Sequence, residues 1–121
     1  MTRKHHNLAA WQQAIALVKG VYILSGRFPR DETYGLIAQM RRAAISVPAN
    51  IAEGVGRSGA KDRIQFLVIA RGSLTELETY IVLAKELGFA TDTSAIEATV
   101  DDVFGLLGGL INAERGKSAA A

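Results

Sequence analysis

At 121 residues the chain has the length of one domain. Its 49% hydrophobic and 21% charged residues describe a globular protein, and no uncharged run approaches the roughly 18 residues a membrane span requires. Zero cysteines exclude disulfides, thiolate nucleophiles, iron–sulfur clusters and most zinc sites, and a net charge of +2 conceals a basic portion up to Arg71 and an acidic remainder.

Residues 1–11 lack the apolar run of a signal peptide, so a cytoplasmic protein is expected. The first periodic segment covers about 8–25, with Leu8, Trp11, Ile15, Val18 and Tyr22 on one helical face and Gly26 and Pro29 closing it. Lone Trp11 reads as core. The second covers about 32–57, opening on Asp31 and Glu32 and carrying Leu36, Met40, Ala44, Val47, Ile51 and Val55. Pro48 interrupts it chemically, but the apolar stripe passes through in phase, which predicts one kinked helix rather than a break at Val47.

The third segment, about 59–87, has Ser58 as its N-cap, Phe66, Ala70, Ser73, Leu77 and Ala84 as its core stripe, and Gly88 as a left-handed terminator. The fourth, about 94–115, opens with the capping-box pattern Ser94-x-x-Glu97 and continues through Val100, Val103, Phe104, Leu107 and Leu110. Residues 117–121 read as a frayed tail. Gly105-x-x-x-Gly109 suggests close helix packing. Four amphipathic segments with short connections predict an all-α, up-down-up-down antiparallel four-helix bundle forming a single domain.

Helices 2 and 3 carry apolar residues on a second face. Ile45, Ala49 and Ala52 lie away from the core stripe of helix 2, and Ile64, Val68 and Val82 away from that of helix 3. A soluble monomer rarely exposes a large apolar patch, so these six residues are the expected interface of a homo-oligomer.

Beside that face Gln39, Arg42, Ser46, Asn50, Glu53 and Arg57 recur every three or four residues as a polar seam. Two readings are open. In one, Arg42, Asn50, Glu53 and Arg57 pair with helix 3 groups such as Ser73 and Glu76 and fix the register. In the other, Arg41, Arg42 and Arg57, with Lys61, Arg63 and Arg71, form a phosphate-binding surface. The charge division has a similar pair of readings, a polyanion-binding surface or oppositely charged helices lying side by side.

Gly54-Val55-Gly56-Arg57-Ser58-Gly59 matches a dinucleotide fingerprint by letter, but that fingerprint needs a strand before it and here a helix ends. A weaker claim survives, that the start of helix 3 with Arg57, Lys61 and Arg63 holds a phosphate. His5 and His6, the only histidines, stand at an expected mobile end and read as solvent-exposed. No Glu-x-x-His motif provides a bundle metal site, and Ser46, Ser58 and Ser73 lack an evident base. The expectation is a non-enzyme with no metal or cofactor.

Trp11-Gln12-x-Ala14, Phe28-Pro29, Tyr34-Gly35-Leu36, Gln39-Met40-Arg41-Arg42-Ala43-Ala44 and the run Ser46-Val47-Pro48-Ala49-Asn50-Ile51-Ala52-Glu53-Gly54 form a specific set. Gly56-Arg57, Phe66-Leu67 and Ala70-Arg71-Gly72-Ser73-Leu74-x-Glu76-Leu77-Glu78 extend it. Over about residues 8–90 the chain resembles the four-helix-bundle proteins encoded in intervening sequences of bacterial 23S ribosomal RNA genes. The resemblance implies a ring-shaped homopentamer and kinship with the bundle accessory proteins of diversity-generating retroelements, which bind nucleic acid and a reverse transcriptase. It also implies that Arg41, Arg42, Asn50, Glu53, Arg57, Arg71 and Glu76 are signature positions, and it supplies no biochemical activity.

Together these readings give a non-enzymatic oligomer that binds RNA or DNA through Arg41, Arg42, Arg57, Lys61, Arg63 and Arg71. The alternative is a scaffold whose acidic C-terminal half contacts a protein partner.

Overall fold

The computed structural model describes residues 3–120, the last three by their backbone alone. Four helices are present and no strand among the described residues: α1 Ala9–Ser25, α2 Leu36–Val55, α3 Ala60–Glu86 and α4 Ser94–Ala120. Each packs on its chain neighbours and α1 also on α4, while the backbones of the diagonal pairs stay farther apart. That is the square cross-section of an antiparallel bundle, as the short connections require.

The core runs along the axis through Leu17, Val21, Met40, Val47, Ile51, Leu67, Leu74, Leu77, Ile81, Val100, Val103, Leu107 and Ile111. Helix α1 corrects the expected phase. Its buried residues are Ala10, Ala14, Leu17, Val21 and Ser25, whereas Ile15 and Tyr22 are 45% and 41% exposed and Trp11 and Val18 are half-buried. Small residues let α1 approach its neighbours, so bulk alone misplaced the stripe. In α3 the expected Phe66 and Ser73 are only half-buried, and Leu67, Leu74 and Ile81 fill the core instead.

Helix α2 runs unbroken through buried Pro48, so the break at Val47 is absent. It begins later than expected, because Arg30–Glu32 form a separate 3-10 turn. Glu32 still caps it, Oε1 accepting the Leu36 N–H at 3.3 Å. For α3 the N-cap is Gly59, not Ser58. At its other end Gly88 takes φ +78°, while Phe89 N–H bonds the Ala84 carbonyl at 2.8 Å and Gly88 N–H that of Lys85 at 3.0 Å. This is the Schellman termination that Gly88 promised.

The capping box expected of Ser94 and Glu97 does not form, because Ser94 is already the first residue of α4. Thr93 Oγ1 donates to Glu97 Oε2 at 2.8 Å, and Asp92 Oδ1 accepts both the Ser94 N–H and the Ser94 hydroxyl. Those two bonds hold the Asp92 carboxyl below its ordinary value. The helix continues to Ala120 rather than fraying at 117, and Ala121 lies outside the described residues. An added Cβ at Gly105, Gly108 or Gly109 would meet nothing within 4 Å, so the Gly105-x-x-x-Gly109 spacing does not serve packing inside the bundle.

His5 and His6 are not a loose end. Residues Lys4–Asn7 form a 3-10 turn, half-buried at both histidines, which pack on Trp11 with ring centroids 5.0 and 5.2 Å away.

Candidate nucleic-acid interface

Helices α2 and α3 approach closely at Gly54, where a Cβ would stand 3.0 Å from Phe66 Cβ and 3.2 Å from the Arg63 carbonyl oxygen. Further along, Ser46 Oγ and Ser73 Oγ are 2.8 Å apart across the interface, and Asn50 Nδ2 donates to the Ser46 carbonyl and hydroxyl at 2.8 and 2.9 Å. The centre of the polar seam is therefore a half-buried, hydrogen-bonded knot.

Asn50 bonds within α2, and neither it nor Arg42, Glu53 or Arg57 hydrogen-bonds Ser73 or Glu76 as that reading expected. Glu53 and Arg57 bind each other one helical turn apart, and the Arg57 guanidinium lies 4.7 Å over the Phe66 ring. Gln39, Arg42 and Glu76 are exposed and make no side-chain hydrogen bond or ion pair among the described residues. The four-residue spacing gives Glu53 a partner just past the end of its own helix, at less ordering cost than a reach across the groove.

The six basic residues divide by what they touch. Arg41 turns toward α1, donating from Nε to Ser25 Oγ at 2.9 Å and from Nη2 to the Tyr22 carbonyl at 3.4 Å, with its guanidinium 4.3 Å over the Tyr22 ring. A cation there sits at the C-terminal end of α1, where the helix dipole favours positive charge. Arg63 binds Glu114 Oε2 at 2.9 Å and holds the carbonyls of Arg57 and Ser58 at 3.0 and 2.8 Å. It fixes the α2–α3 turn just ahead of α3, its donors there taken by protein oxygens.

Arg42, Lys61 and Arg71 make no side-chain hydrogen bond or ion pair among the described residues, but they occupy different faces. Arg71 lies two turns before Glu78, on the flank of α3 that faces α4, where Glu78, Val82, Glu97 and Asp101 line a groove of about 90 Å³. The expected single cluster of arginines is not formed.

A different grouping appears once the helices are laid antiparallel. The Arg63–Glu114 bond puts the start of α3 beside the far end of α4, and the Lys4–Asn7 turn packs on α1 and α2 at that same end. Arg3, Lys4, Arg57, Lys61, Arg63, Arg115 and Lys117 gather there against Glu53, Asp62 and Glu114. No local motif signals this; it follows from topology, which brings together the chain's beginning, middle turn and final helix. Burial pushes the Glu114 carboxyl up, but hydrogen bonds and charge from Arg63 and Lys117 outweigh it and leave the group below its ordinary value.

Of the expected interface residues, Ile45, Val68 and Val82 are 46%, 37% and 49% exposed, Ala49 is exposed, and Ala52 and Ile64 are half-buried. Ile15 and Tyr22 extend the apolar surface onto α1, and Ile69 and Leu83 extend it on α3. Among the described residues no three His, Asp or Glu side chains group as metal ligands, and no helix is long and apolar enough to cross a membrane.

The family model for the 23S rRNA-intervening sequence protein matches residues 6–109. Among solved structures, the chain is similar to a protein of unknown function from the S23 ribosomal protein family of Bacteroides thetaiotaomicron, at 20% identity and a TM-score of 0.72. That likeness covers 88% of this chain and 98% of the other, and it speaks to the fold. No curated protein matches significantly.

Proposed function

The chain belongs to the 23S rRNA-intervening sequence protein family, and from that premise we propose that it is a non-enzymatic, oligomeric bundle that binds a nucleic-acid backbone, RNA first, through its basic end. One observation carries the reading: Arg3, Lys4, Lys61 and Arg115 share that end and make no ion pair among the described residues. Cations without a carboxylate partner are available to phosphates, and several on one surface release counterions together. Among the described residues nothing on the surface resembles a base-reading element, so the reading is of contact to backbone and shape.

Oligomerisation rests on the outward apolar residues Ile15, Tyr22 and Ile45 of α1 and α2, whose exposure has no use within one chain. An oligomer, a pentamer by family resemblance, repeats the basic end and multiplies its weak contacts. Alternatively the same apolar surface receives a different protein, and the chain is a cytoplasmic scaffold.

A filter-binding titration of the pure protein with a structured RNA, beginning with a 23S rRNA fragment, tests the reading at two ionic strengths. Retention that falls steeply with salt supports it; none at low salt overturns it. Capture of a protein that survives nuclease treatment, without RNA retention, favours the scaffold.

A further inference from the structure

His6 stands in an unusual position for a histidine near the start of a chain. Its Nδ1 accepts the backbone N–H of Arg3 at 2.9 Å, and its carbonyl accepts Gln12 Nε2 at 2.8 Å. Its ring lies 5.2 Å from the Trp11 ring and 4.5 Å from that of His5, which itself packs at 5.0 Å on Trp11. Two imidazoles thus cover the chain's single tryptophan, and one of them closes the turn by accepting a hydrogen bond.

We propose that His6 makes the docking of the Lys4–Asn7 turn on Trp11 proton-dependent, closed while Nδ1 is an acceptor and released when the imidazole is protonated. An imidazolium has an N–H at both ring nitrogens and no acceptor, so the Arg3 N–H would face another N–H instead of a lone pair. The surroundings offer little compensation. Among the described residues the turn packs on α1 and α2. Its own charges are Arg3 and Lys4, both positive, and residues 9–18 of α1 carry no ionisable group. At the end of α2 the ionisable groups are Glu53 and Arg57, already bound to each other. With the two histidine rings 4.5 Å apart, charging both adds repulsion. Trp11 attracts a cation at its face, but that attraction cannot restore the lost hydrogen bond. Release changes where Arg3 and Lys4 sit, although the mechanism does not require that they bind anything.

Trp11 is its own reporter. The full chain is titrated from about pH 8 to pH 5, across the range in which histidine ordinarily changes charge, following the emission maximum and quenching by acrylamide, with far-UV circular dichroism to confirm that the bundle persists. The expected result is a red shift and loss of protection at acid pH, with helicity unchanged. His6→Asn supplies a non-titrating acceptor and keeps Trp11 protected throughout; His6→Ala removes the acceptor and leaves it unprotected at every pH. Acrylamide quenching that is flat with pH in the wild type overturns the proposal, as does a His6→Asn variant that titrates like the wild type.

Discussion

Arg63 Nε lies 2.9 Å from Glu114 Oε2, and this bond ties the first turn of α3 to the distal part of α4 across 51 residues of sequence. Both side chains are largely buried, with 16% and 13% of their surfaces exposed. The depressed Glu114 carboxyl fixes the sign of its pH dependence. The pair's stabilisation is fully present above the carboxyl's ordinary value of 4.5 and is lost as pH falls through the lower folded value. Arg63→Ala should lower stability at neutral pH by about 1–3 kcal/mol, the scale of a hydrogen bond to a charged group. Urea unfolding at fixed protein concentration, at neutral pH and at about pH 3, checks it: the difference between variant and wild type should shrink in acid as Glu114 protonates. An undiminished difference would assign the loss to the Arg57 and Ser58 carbonyls alone.

Arg41 and Lys61 separate folding from binding. Arg41 holds Ser25 and Tyr22, so Arg41→Ala should lower the melting temperature and affect RNA retention little. Lys61 makes no side-chain hydrogen bond or ion pair among the described residues, so Lys61→Ala should leave the melting temperature alone and reduce the salt slope of RNA binding by roughly one phosphate contact. Thermal melts with filter binding at several salt concentrations distinguish them, and a Lys61→Ala variant with wild-type slope would remove Lys61 from the interface.

The four helices were legible because their apolar periodicity persists over long segments and Gly88 and the short connections punctuate it. The phase of α1 was not, since its apolar residues occupy more than half the circumference and its core positions include Ala10, Ala14 and Ser25. Ser25 is buried because Arg41 reaches it from sixteen residues away, a partnership no local window contains. The roles of the arginines were hidden for the same reason. Arg41, Arg57 and Arg63 look alike as letters, yet each is claimed by groups on another element or another turn. A polar row inside an apolar helix needs partners, which pointed to Ser73 across the interface, but the residue that meets it is Ser46 and not Asn50.

Ile45 tests assembly. It is 46% exposed on the α1/α2 side, beyond Arg41 and Tyr22, and a charge there should not disturb the core. Light scattering should find the wild type as an oligomer and Ile45→Glu shifted toward monomer, with helicity retained. A wild-type monomer at micromolar concentration would show that this surface has no self-partner.

The glycines give opposite predictions for the same substitution. At Gly54 a Cβ would press on Phe66 Cβ at 3.0 Å and on the Arg63 backbone carbonyl at 3.2 Å, contacts that only separation of α2 from α3 can relieve. Gly54→Ala should therefore destabilise the bundle by about 1–3 kcal/mol, the usual cost of overpacking, and loosen the Ser46–Ser73 contact farther along the seam. At Gly105 and Gly109 the added methyl meets nothing, and alanine restricts the unfolded chain, so each substitution should stabilise by up to about 1 kcal/mol. Denaturant titrations of the three variants decide the matter. If Gly109→Ala instead weakens the protein, and does so more at concentrations where it assembles, then another helix approaches α4 at that glycine and the assembly extends beyond the α1/α2 side.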